Sequence, residues 1–162
     1  MPFDGTDSPL VRLLEADRKL TGARRAAAKL CPNHPAPSTK KLARRAARAR
    51  ESIIVLDLLG QLLHGGHNWT RNTYHDGHGR HCLVGGLEHI RARRGSGDRA
   101  GVYLSQAIAI AYSDRERLTH FNDRCITYAE IRAMILFARD LAQQVVDSHT
   151  DAFVWASDDC PF

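Results

Sequence analysis

Residues 39–64, "TKKLARRAARARESIIVLDLLGQLLH", contain no proline and no glycine before Gly60. Alanine and arginine favour helix, and nothing in the run interrupts it. The first half is basic. The second half is apolar at Ile54, Val55, Leu58, Leu59, Leu62 and Leu63, a stripe with helical spacing. Ser38, just after Pro37, is placed to cap the start, and Gly65–Gly66 supply a stop. One long helix is expected, anchored by its C-terminal half and more exposed at its basic end. A chain organised on such a helix is mainly α.

The stretch that follows reads differently. "WTRNTYHDGHGRHCL" places Trp69, Thr70, Thr73 and Tyr74 before the Asp76-Gly77-His78-Gly79 turn signal. This predicts a β-hairpin over 69–82 with its turn at the glycines. "CLVGGLEHIRARR" is then helical, with Leu83, Leu87 and Ile90 on one face. Gly85 and Gly86 weaken that helix and so imply close backbone packing. Asp98 is placed to cap "RAGVYLSQAIAIAYS", and "RLTHFNDRC" reads as a loop. Thr127 and Glu130 form a capping box for "YAEIRAMILFARDLAQQVVDSH". The tail "TDAFVWASDDCPF" reads as an aromatic strand or packed coil. Trp69 and Trp155 read as core anchors.

Upstream, Ser8 and Pro9 start a helix with Leu10, Leu13, Leu14 and Leu20, and "CPNHPAPS" ends it with three prolines. The expected organisation is an N-terminal helical arm and Pro-rich linker over 1–37, then one helical domain over 38–162. A 162-residue chain with 43% hydrophobic and 25% charged residues can build a substantial core. No run reaches the roughly 20 apolar residues of a membrane span. The N-terminus lacks a basic segment followed by an apolar run, so a cytoplasmic protein is expected. Cys31, Cys82, Cys125 and Cys160 are scattered with no CxxC spacing, which favours free thiols.

The net charge of +5 is unevenly spread. Residues 1–50 hold 12 Lys/Arg against 4 Asp/Glu, and the remainder is mildly acidic. The basic front suits an acidic partner, or self-association into a homo-oligomer through unlike halves. "KKLARRAARAR" carries Lys40, Lys41, Arg44, Arg45, Arg48 and Arg50 with no acid. On a helix these fall on overlapping faces, and Arg24, Arg25 and Lys29 add a second cluster. Such a face neutralises phosphates with little sequence preference. The leading expectation is a non-catalytic binding or regulatory protein whose basic helical face takes nucleic acid or an acidic protein surface. The opposing face holds only alanine and Leu42, which argues against membrane binding.

Two further readings attach to "YHDGHGRHC", residues 74–82. One is a cysteine-dependent hydrolase or transferase. Cys82 opens a helix, whose N-terminus favours thiolate, and His120 with Asp123 supplies a base and its orienting partner. The bland reading makes Cys82 a small buried residue at a tight junction. The other is a zinc-binding hairpin using His75, His78, His81 and Cys82. Alternation of side chains across a hairpin works against their convergence, and His78 at the tip faces water. No cofactor is therefore favoured, with zinc as the alternative. Asn122 and Asp123 read more simply as turn-formers bonding nearby backbone, with Phe121 in the core.

The middle of the chain resembles a family of small bacterial and phage domains of unknown function. The resemblance rests on Trp69, Asp76, Gly79, Arg80, Cys82, Leu83 and Gly85, then Asn122, Asp123, Thr127 and Glu130. It spans about residues 53–142. Phe121 stands where that pattern has Trp, and Gly86 where it has Ala. The resemblance implies helices around a hairpin and implies no activity.

Overall fold

The computed structural model describes residues 38–95, 98–112 and 117–158. The N-terminal arm, the proline-rich linker, Cys31 and Cys160 lie outside the described residues, as does the Trp155 side chain. The architecture is mainly helical.

The long helix forms as its composition requires. Helix α1 spans Thr39–Leu62, with Ser38 at its N-cap position. Ala46, Ala49, Ser52, Val55, Leu56 and Leu59 make its buried stripe, and a 3₁₀ turn, His64–Gly66, follows it. Ile54, assigned to the apolar face by spacing, is 41% exposed. Helix α2 is Leu83–Arg94, α3 is Ala100–Tyr112, α4 is Leu118–Arg124 and α5 is Tyr128–Asp158. Helix α1 packs most extensively on α5, and α3 packs on α5 beside it. Between them Leu56, Leu59, Leu63, Leu104, Ile108, Phe121 and Ile131 are fully shielded from water. Each such leucine or isoleucine contributes about 2 kcal/mol relative to exposure. No helix among the described residues is long and apolar enough to cross a membrane.

Ser38 makes no side-chain cap bond at the start of α1, but the caps of α3 and α5 follow the sequence. The Asp98 carboxylate accepts the Ala100 N–H at 2.7 Å and so starts α3. The Glu130 carboxylate accepts the Ile126 and Thr127 N–H groups at 2.9 and 3.1 Å, the return half of a capping box.

Three local expectations give way. The hairpin over 69–82 is not formed, and no strand occurs among the described residues. Isolated bridges join Trp69 and His75 to His81 instead. Asn72 (φ 60°), Gly77 (φ 76°) and Gly79 (φ 84°) turn the backbone left-handed three times in eight residues, too often for a ladder to propagate. The turn itself survives: Asp76 Oδ1 accepts the N–H groups of His78 and Arg80 at 2.9 and 3.1 Å. "RLTHFNDRC", expected as a loop, contains the short helix α4, which buries Phe121 and Asn122. The tail, expected as strand or coil, continues α5 to Asp158. In α4 the helix places Phe121 in the core, and local turn propensity yields to that packing.

Candidate functional site

Two arrangements stand out: a loop clamped to the helices by buried polar groups, and a basic groove between α1, α3 and α5.

Asn122 organises the loop. It is fully buried. Its Oδ1 accepts the Trp69 indole N–H at 2.9 Å and the Leu83 N–H at 3.1 Å. Its Nδ2 donates to the Thr70 carbonyl at 3.0 Å and to Asp123 Oδ1 at 3.1 Å. Asp123 Oδ1 also accepts the Asn72 N–H at 2.7 Å. These side chains were expected to bond nearby backbone. They bond backbone some fifty residues away. The Arg71 guanidinium adds a bond to the Cys125 carbonyl at 3.1 Å and lies over the Trp69 ring. The residues that carry the family resemblance are largely those that tie the loop down.

Cys82 is 4% exposed and sits at the N-cap of α2. Its Sγ accepts the Gly85 N–H at 3.3 Å, and its own N–H donates to the Tyr74 carbonyl at 3.1 Å. The thiol is thus placed where a helix start needs an acceptor. Asp123 is engaged with the loop backbone, and His120 is exposed on α4. His75 and His78 are exposed, while His81 is partly buried against His89 of α2, ring centroids 4.8 Å apart. Among the described residues no three His, Cys, Asp or Glu side chains are grouped to hold a metal ion.

The loop carries opposed electrostatics. Partial burial pushes the Asp76 carboxyl up. The Arg80 guanidinium and the His78 and Arg80 N–H groups outweigh that and hold it at about 2. His81 moves the other way from a proton. Burial lowers its pKa, His89 and His75 lower it further, and only Asp76 opposes them. Its Nδ1 is buried without a hydrogen-bond partner among the described residues. A histidine whose folded pKa lies below its unfolded 6.5 takes its proton more readily in the unfolded chain. Its contribution is full above about 6.5 and is lost as pH falls through that value toward the folded pKa. Urea unfolding across pH 8 to 5 is expected to show an acid-side decline that His81→Gln reduces. Identical pH profiles for the two proteins would remove His81 from that role.

The groove lies between α1, α3 and α5 and has a volume of about 1340 Å³. Lys41, Arg44, Arg45 and Arg48 of α1 line one wall. Arg91 of α2, with Arg99 and Arg117 from the starts of α3 and α4, extend it. No aspartate or glutamate lines it. Val102, Ile110, Leu141 and Val145 supply an apolar wall. Arg91 is neutralised by a two-pronged ion pair with Asp98 at 2.8 and 3.0 Å. That pair raises the pKa of Arg91, and the same pair, against the effect of burial, lowers that of Asp98. The other six cations have no ion-pair partner among the described residues.

Four of the six cations expected from "KKLARRAARAR" therefore share one groove. Lys40 and Arg50 do not line it; both are exposed elsewhere on α1. Arg91, Arg99 and Arg117 join the groove without having been singled out in the sequence. Arg99 follows the capping Asp98, but no local pattern shows that it faces α1.

No curated protein and no solved structure matches the chain. One family model does match, over residues 50–141, more than half of the sequence and the stretch that holds the loop clamp, α2, α3, α4 and the first half of α5. The chain belongs to the Family of unknown function (DUF6197).

Proposed function

We propose that the protein binds nucleic acid through the groove. The observation that carries this reading is a wall of seven basic side chains, six without an acidic partner among the described residues. Like charges held together raise the free energy of the folded state, and a polyanion relieves that repulsion. Phosphates on the basic wall release condensed counterions, which supplies affinity without base readout. The facing apolar wall offers a surface for bases or sugars of the same strand.

The test is a salt series with a fluorescently labelled oligonucleotide. Neutralising about four phosphates predicts a loss of affinity on the order of 10²-fold between about 50 and about 200 mM salt. Arg44→Glu with Arg45→Glu is expected to weaken binding on the order of 10²-fold at low salt. Lys40→Glu with Arg50→Glu makes the same change in net charge outside the groove, and is expected to cost less than about threefold. Equal losses in the two double variants, or affinity that ignores salt, would overturn the reading.

A further inference from the structure

Uncharged polar side chains also line the groove, Tyr103 among them with Ser105 and Gln106. Tyr103 of α3 is 8% exposed and lines the groove. Its hydroxyl has no hydrogen-bond partner among the described residues. The hydroxyl is not a buried unpaired atom, a state found among the described residues only at His81 Nδ1, so it opens onto the groove and can donate to an acceptor bound there.

The backbone positions that carry two of the neighbouring cations are tied together. Ser52 of α1 is fully buried. Its Oγ donates to the Arg48 carbonyl at 2.8 Å and accepts the Arg99 N–H at 2.7 Å. One hydroxyl thus brings Arg48 and Arg99 together across 51 positions of chain. Arg45 lies one turn before Arg48 on the same wall, and Arg45 and Arg99 both act electrostatically on the Tyr103 hydroxyl. Burial raises its pKa above the ordinary tyrosine range while the two arginines pull it partly back, so it remains a donor at neutral pH. Helix α3 begins right after Arg99 and adds the positive end of its dipole.

We propose that Tyr103, Arg45, Arg48 and Arg99 form a seat for a terminal phosphate monoester, so that the groove selects strands with a phosphorylated end. This rests on the nucleic-acid reading above and names the group that reading leaves open. A monoester carries nearly two negative charges at neutral pH and three free oxygens. A phosphodiester within a strand carries one charge and two free oxygens. Three guanidinium groups, a hydroxyl and a helix start match the former.

The full chain is titrated with one oligonucleotide in three forms: 5′-phosphorylated, 3′-phosphorylated and unphosphorylated. At least one phosphorylated form is expected to bind about tenfold tighter than the unphosphorylated one. Tyr103→Phe is expected to shrink that preference below about threefold. Arg99→Gln, an exposed change that leaves the core intact, is expected to do the same. Equal affinity for all three forms, or a preference that survives both substitutions, overturns the seat. If no form binds, the nucleic-acid reading fails, and inorganic phosphate decides the seat alone. A rise in Tm over chloride at equal ionic strength, removed by Tyr103→Phe, upholds it, and no rise overturns it.

Discussion

Asn122→Ala is expected to lower the unfolding free energy by about 3–4 kcal/mol. The amide uses both acceptor positions and both donors, and it does so with no exposed surface. Its removal leaves the Trp69 indole N–H, the Leu83 N–H and the Thr70 carbonyl without their partner. An unpaired buried polar group costs about 1–3 kcal/mol, and water entering the vacated space recovers part of it. Asn122→Asp keeps the shape and fails differently. It turns the donor toward Thr70 into an acceptor and sets a second carboxylate against Asp123. A loss at least as large is expected unless the new acid is protonated. Urea unfolding at neutral pH measures both. A change below about 1 kcal/mol for Asn122→Ala would mean that the loop does not depend on the clamp.

Gly85→Ala is expected to destabilise by about 2–4 kcal/mol, the reverse of the usual effect in a helix. Glycine inside a helix ordinarily costs about 1 kcal/mol relative to alanine. At Gly85 a Cβ would stand 2.0 Å from the Tyr74 carbonyl oxygen and 2.8 Å from its carbon. Both are backbone, so the loop must move away, and the bond from the Cys82 N–H to that same oxygen goes with it. Gly60 of α1 is the matched control, since a Cβ there meets nothing within 4 Å. Gly60→Ala should therefore stabilise by about 0.5–1 kcal/mol. Gly86 lies between these extremes. Its Cβ would meet the end of the Leu59 side chain at 2.6 Å, and that end can rotate aside. A Gly85→Ala protein as stable as the parent would show that the loop does not rest on α2.

The loop also explains why a hairpin was expected and did not form. "HDGHGR" carries a turn signal, and the turn is present around Asp76. What the local pattern cannot show is where the flanking backbone groups find partners. Here the Asn72 N–H goes to Asp123 and the Thr70 carbonyl to Asn122, both on α4. Side chains of a helix replace the ladder that a partner strand would provide. "HFND" read as a polar turn with Phe121 in the core, but it lies within helix α4. Phe121 is fully buried, but the two polar residues act on distant chain.

Helix starts, stops and buried faces depend on residues within a turn or two of one another, which is why α1, α2, α3 and the start of α5 can be read from "TKKLARRAARARESIIVLDLLGQLLH" and its neighbours. Glu130 reaches Thr127 because they are three residues apart on one helix start. The basic character of α1 is equally local. The groove is not. Arg48 and Arg99 meet only because Ser52 accepts from one backbone and donates to the other, and Tyr103 is buried beside them only because α3 packs against α5. Asn122 likewise reaches Trp69 and Leu83 only after α4 has docked. A side chain's partners across fifty residues are set by how the helices pack, and that packing belongs to the whole core rather than to any short run of the chain.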